Sequence, residues 1–120
     1  MRLINSFIYA LQGIRHCALS EKNFRIQLLF ASMAFFAGMV FKISVTEWLV
    51  ILICSALVLA LEMINTTIEK LSNLITQSIN PVIKLIKDIA AGAVCIISIA
   101  SFIIACIIFL PKLCTLIKTF

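Results

Sequence analysis

Charge is scarce in this chain of 120 residues: Asp, Glu, Lys and Arg make up 12%, against 63% hydrophobic residues. A soluble domain of that length cannot enclose so much apolar side chain, which excludes an ordinary water-soluble fold. None of the five cysteines forms a CxxC pair, and Cys54, Cys95 and Cys106 fall inside apolar runs. That removes the usual zinc and disulfide frameworks and leaves small, weakly polar packing residues. The single histidine, His16, has no second ligand at helical spacing and reads as a surface or interfacial residue. The net charge of +5 is spread without a dense basic stripe, so nucleic acid is not an expected partner and anionic lipid head groups are. Residues 1 to 25 lack the unbroken apolar core and small-residue cleavage site of a signal peptide, which predicts that they are retained. Internal repeats, low-complexity tracts and linkers are also absent, so a single domain over 1–120 is expected.

What the chain does have is apolar length. A helix needs ~20 residues to cross ~30 Å of hydrocarbon. Ile26–Phe41, Trp48–Ile64 and Ile89–Leu110 reach or approach that length, the first completed if Lys42 snorkels its ammonium to the interface. Ahead of them, Leu3, Phe7, Leu11, Ile14 and Ala18 recur every three or four residues, the period of an amphipathic helix lying on a membrane surface. The fold class expected is an all-α membrane protein, with three transmembrane helices at about 26–44, 47–64 and 89–110 and an N-terminal amphipathic surface helix over 3–20. Arg2, Arg15, Lys22, Arg25, Lys70, Lys84 and Lys87 fall on one side of these spans and Lys42, Lys112 and Lys118 on the other, seven against three. The positive-inside rule then places the N-terminus and the 65–88 loop in the cytoplasm and the C-terminus outside. Thr46 is the expected cap of the second span, and Trp48 suits an interface. The second span should continue to about Thr76, with a turn at Asn80-Pro81 before the last helix.

The second span ends in ALEMINTTIEKLSN, residues 60–73, where Glu62, Asn65 and Glu69 are three and four residues apart and share one helix face. Ser72 and Asn73 extend that face. For Glu69 the simplest reading is a helix passing from lipid to water. Glu62 lies inside the apolar run, where a carboxylate costs roughly 2.5 kcal/mol or more and must face protein, water or an ion. A proton or cation site of a transporter is one such solution. Lys87 and Asp88, at the same end of the third span, favour another: carboxylates, an amide and a lysine at one interface suit Mg²⁺ and a nucleoside triphosphate.

The string EMINTTIEKLSN resembles the signature of the small bacterial membrane lipid kinases, the diacylglycerol kinase and undecaprenol kinase family: Glu, any residue, apolar, Asn, Ser or Thr, small, apolar, Glu. SFIYALQGIRHCALSEKNFRIQ resembles the family's N-terminal region through Tyr9, Gly13, Glu21, Asn23, Phe24 and Arg25, and IKDIAAGAV its segment before the last span. The resemblance implies that Glu62 is the general base that takes the proton of a lipid hydroxyl as it attacks the γ-phosphate of ATP. It implies that Glu21 and Glu69 bind Mg²⁺ with the phosphates. Asn65, Lys87 and Asp88 match nucleotide-site residues, and Tyr9 and Arg2 match nucleotide or lipid contacts on the surface helix. The chain has no GxxxxGK[ST] or GxGxxG phosphate loop, and this family does not use one.

Two positions depart from the pattern: Asn73 stands where the family usually has aspartate, and Ala91 where some members carry serine near the substrate. Asn73 keeps one acceptor without the charge. The missing serine turns the expectation away from diacylglycerol, and EKNFRIQ and IKDIAAGAV are closer to the undecaprenol kinase branch. The resemblance therefore implies an ATP-dependent kinase of the bacterial cytoplasmic membrane acting on undecaprenol, with diacylglycerol as the alternative acceptor and a homotrimer as the assembly. Ala90, Ala91, Gly92 and Ala93 allow the close helix approach such an assembly needs. A non-enzymatic transporter or interaction protein using Glu62 as an ion site is the more distant alternative.

Overall fold

The computed structural model describes all residues, Met1–Phe120, as four helices: α1 Arg2–Ser20, α2 Lys22–Phe41, α3 Val45–Ile75 and α4 Pro81–Thr119. α2, α3 and α4 are each long and apolar enough to cross a membrane, and α1 precedes them as the shorter N-terminal helix. Only 13 of the 120 residues are buried, so the apolar surface of these helices faces outward and a bilayer serves as its solvent. The apolar face of α1 follows the same logic, with Leu3, Phe7, Leu11 and Ile14 all exposed.

Each boundary has a local cause. Glu21 leaves helical geometry (φ −106°, ψ 113°), ending α1 and starting α2 at one residue, so the surface helix turns directly into a span. Its N–H still donates to the Cys17 carbonyl at 3.0 Å, while its own carbonyl accepts from Arg25 N–H at 3.1 Å. α2 stops at Phe41, so residues 42–44, expected within the first span, form the turn instead. Lys42 takes the left-handed conformation at φ 51°, and Ile43 N–H reaches back to Gly38 O at 3.2 Å, a Schellman closure.

Ser44, rather than Thr46, caps α3. Its hydroxyl accepts from Glu47 N–H at 3.2 Å, and Glu47 Oε1 accepts from Ser44 N–H at 3.0 Å. A serine three residues before a glutamate makes this reciprocal box, and Thr46 stands too close to Glu47 to do so. The helix ends at Ile75, with Thr76 as its cap, and Asn80 Oδ1 opens α4 by accepting from the N–H groups of Val82 and Ile83 at 2.9 and 3.3 Å. Pro81 fits the first turn because its missing N–H has no partner to lose there.

The bundle has two chemically distinct ends. At one, Ile43, Ile51 and Ile108 pack with Phe35, Trp48 and Phe109, and Lys112 Nζ pairs with Glu47 Oε2 at 3.1 Å. At the other, Lys87 Nζ donates to Asn73 Oδ1 at 2.6 Å, joining the end of α3 to the start of α4. With 31 residues at ~1.5 Å each, α3 is ~46 Å long and outreaches the ~30 Å hydrocarbon by several turns. Counting ~20 residues from Val45 puts the boundary near Ile64, so Glu62 is just inside it and Glu69 beyond.

Candidate active site

α3 carries the polar face that its spacing predicts, and the fold buries it selectively. Glu62 is 4% exposed and Asn65 6%, with Thr66 and Ser72 buried beside them, while Glu69 is open to solvent. Asn65 Nδ2 donates to Glu69 Oε1 at 3.2 Å, one turn along the helix. The other half of that amide, Asn65 Oδ1, is buried without a partner. An acceptor left empty in this way costs about 1–3 kcal/mol, which a cation or a donor would recover.

The α1–α2 junction closes over this face. Glu21 Oε1 lies 3.5 Å from Lys70 Nζ, pinning the junction to α3 one residue past Glu69. Cys17 and Phe24, buried on either side of Glu21, anchor it. The Cys17 thiol is held above its ordinary pKa by burial first and then by the nearby Glu21 and Glu62 carboxylates, with Lys70 opposing them. Glu21 and Glu69 thus flank Lys70 at this end of the bundle, and Glu62 lies about two turns further in along the same face of α3.

On its membrane side Glu62 opens into a cavity of about 310 Å³ bounded by Asn23 and Gln27 of α2 and by Ala91 and Ser98 of α4. Glu62 therefore stands between a lipid-level chamber and the carboxylate and amide groups further out. That is the order in which a membrane-held hydroxyl and a water-borne phosphate would meet. No three His, Cys, Asp or Glu side chains converge into a preformed metal cage. The oxygens of Glu21, Glu69 and Asn65 suit a hard cation that keeps its own waters and arrives with phosphates, the usual habit of Mg²⁺.

Over residues 8–109 the sequence matches the family model of prokaryotic diacylglycerol kinase. The chain belongs to that family. Among its relatives is an undecaprenol kinase of Bacillus subtilis (strain 168), 39% identical over 112 residues that cover 93% of this chain and 91% of that protein. A diacylglycerol kinase of Synechocystis sp. (strain ATCC 27184 / PCC 6803 / Kazusa) is 33% identical over 115 residues, 95% of this chain and 66% of that protein. Membership makes the chain a membrane lipid kinase.

The remaining residues named from sequence divide into two groups. Lys87 and Asp88 sit at the right end of α4 and are already engaged, Lys87 with Asn73 and Asp88 with Lys84 Nζ at 2.6 Å. Arg2 and Tyr9 lie on an exposed stretch of α1, Tyr9 67% exposed, and make no side-chain hydrogen bond or ion pair. Lys70 and the Gln27–Ser98 pair were not anticipated as site components. Lys70 is 49 positions from Glu21 and Ser98 is 71 from Gln27. No local period connects such residues, although Lys70, next to Glu69 in the signature, carried a hint.

Proposed function

We propose that the chain transfers the γ-phosphate of ATP to the hydroxyl of undecaprenol in the bacterial cytoplasmic membrane. The observation that carries this reading is the burial of Glu62 between the lipid-level cavity and the outward polar face. Glu62 accepts the proton of the lipid hydroxyl, whose oxygen forms the new bond to the γ-phosphorus as the bond to the β-phosphate bridging oxygen breaks and ADP leaves. A single positioned base of this kind contributes about 10²–10⁴ in rate.

Glu21, Glu69 and Asn65 Oδ1 are the groups that would hold Mg²⁺ with the phosphates. When bound, the magnesium ion neutralises phosphate charge and orients the γ-phosphoryl group. Lys87 adds a point charge for the same phosphates, and Asp88, beside it, lines the nucleotide end. Tyr9 and Arg2 reach nucleotide or lipid from the exposed helix. The N-terminus and the 65–88 loop are cytoplasmic in this reading and the C-terminus lies outside, with a homotrimer as the assembly.

Undecaprenol is favoured over diacylglycerol by Ala91, which borders the Glu62 cavity with a methyl group where a serine would offer a hydroxyl to a polar glyceride head. The relative named undecaprenol kinase matches over nearly its whole length, which agrees with that preference. The experiment is phosphate transfer from labelled ATP to each lipid in mixed micelles, with and without Mg²⁺. Label in undecaprenol is expected. Label in neither lipid sinks the kinase reading, and label in diacylglycerol alone sinks the choice of acceptor.

A further inference from the structure

Gln27 Nε2 donates to Ser98 Oγ at 3.3 Å, the one side-chain hydrogen bond joining α2 to α4. Both residues also border two cavities at once. One is the chamber that contains Glu62 and Ala91. The other, also about 310 Å³, runs between α2, α3 and α4 past Phe30, Ala34, Val58 and Phe102 at the level of the hydrocarbon. The pair is thus the boundary between a head chamber and an apolar groove.

We propose that this pair selects the acceptor: the Gln27–Ser98 bond forms a neck through which one hydrocarbon chain passes from the Glu62 chamber into the groove, and two chains do not. This rests on the lipid kinase reading. The occupant of the groove is the hydrocarbon chain of the alcohol being phosphorylated, because the groove shares Gln27 and Ser98 with the chamber where its hydroxyl must sit and is lined mainly by apolar side chains. In a prenol the chain stays single from the hydroxyl onward. In a diacylglycerol the carbon next to the hydroxyl-bearing carbon already carries an ester, so two chains diverge at the depth of the neck. Passing both chains between Gln27 and Ser98 requires the bond between α2 and α4 to open, and no other side-chain hydrogen bond between those helices has to break. Gln27 and Ser98 are therefore positioning residues, acting on which lipid reaches Glu62.

The test compares kcat/KM for undecaprenol and for dioleoylglycerol in the full-length protein, wild type against Gln27→Ala, Gln27→Leu and Ser98→Ala. Gln27→Ala both breaks the bond and widens the neck, and should move the ratio towards dioleoylglycerol by about tenfold, the scale on which pocket width discriminates. The change should appear in KM for the lipid with KM for ATP unchanged. Ser98→Ala should move it the same way, and Gln27→Leu, which keeps the bulk, should move it least. An unchanged ratio in folded Gln27→Ala and Ser98→Ala proteins overturns the neck. Wild-type protein that labels neither lipid fails the kinase reading itself, a separate result.

Discussion

Asn73 accepts a hydrogen bond from Lys87 Nζ at 2.6 Å, so the position at which the family usually has an aspartate still receives the lysine. The contact joins the last turn of α3 to the first turns of α4 across the 76–80 connection, and its exposure limits its value. Lys87 has two possible tasks, holding helices together and meeting phosphate, and they separate by substitution. Asn73→Asp should be tolerated, with KM for ATP moving less than about fivefold, because an exposed ion pair differs from a neutral one by at most ~1 kcal/mol. Asn73→Leu should also leave turnover largely intact, whereas Lys87→Ala should raise KM for ATP by more than tenfold, roughly the 1.5–3 kcal/mol of a hydrogen bond to a charged group. Equal losses in Asn73→Leu and Lys87→Ala would reduce Lys87 to a helix tie.

Cys17 offers a direct view of how tightly α1 covers the site. Its thiol is buried and its pKa raised, by burial first and then by the Glu21 and Glu62 carboxylates. Since the thiolate is the reactive species, alkylation by iodoacetamide at neutral pH should be much slower at Cys17 than at exposed Cys114, by about tenfold or more. The Cys17 rate should keep rising with pH beyond the range in which an ordinary thiol ionises. Glu21→Gln should accelerate it, by removing one of the charges that disfavours the thiolate. Peptide mass spectrometry after timed alkylation reads all three, and equal rates at Cys17 and Cys114 would show that α1 does not stay docked.

Gly38 tests the opposite end of the bundle, away from the chemistry. A Cβ there would fall 2.7 Å from Trp48 Cη2 and 3.0 Å from Ile43 Cδ1. Trp48 is stacked on Phe35 with ring centroids 5.8 Å apart, so it has little room to withdraw. Gly38→Ala should destabilise the protein by about 1–3 kcal/mol through overpacking, in spite of the better helix propensity of alanine. Thermal unfolding in micelles should show the loss, while KM for ATP stays at the wild-type value. A variant as stable as wild type would mean that the α2–α3 turn relaxes freely.

These residues also show what a sequence makes legible in this fold. Three spans follow from apolar length, and the Glu62–Asn65–Glu69 face from spacing alone, because a helix period is a local property. The Asn65–Glu69 and Lys84–Asp88 pairs, each four residues apart, fall under the same rule. Thr46, the cap expected beside Trp48, lies inside the first turn, because Ser44 two residues before it forms the box with Glu47. Lys42 in the left-handed region was invisible, since the usual signal there is glycine and the glycine of this turn sits four residues back, under Trp48. The Glu21–Lys70 and Gln27–Ser98 contacts depend on how separate helices lie against one another, which no local pattern encodes.

Glu62 and Glu69 differ in burial by more than their seven-residue separation suggests, and that difference assigns them different losses. Glu62 is buried against the lipid-level cavity, while Glu69 is exposed and tied to Asn65. In the proposed role of base, Glu62 would act only while the hydroxyl is losing its proton, so Glu62→Gln should cut kcat by about 10²–10⁴ and leave nucleotide affinity nearly unchanged. In the proposed role of cation ligand, Glu69 would act in the ground state too, so Glu69→Gln should raise the Mg²⁺ concentration needed for half-maximal rate, and excess Mg²⁺ should restore part of the activity. The measurements are label transfer over a Mg²⁺ titration and binding of a fluorescent ATP analogue. Magnesium rescue of Glu62→Gln, or its failure in Glu69→Gln with nucleotide binding intact, would exchange the two roles.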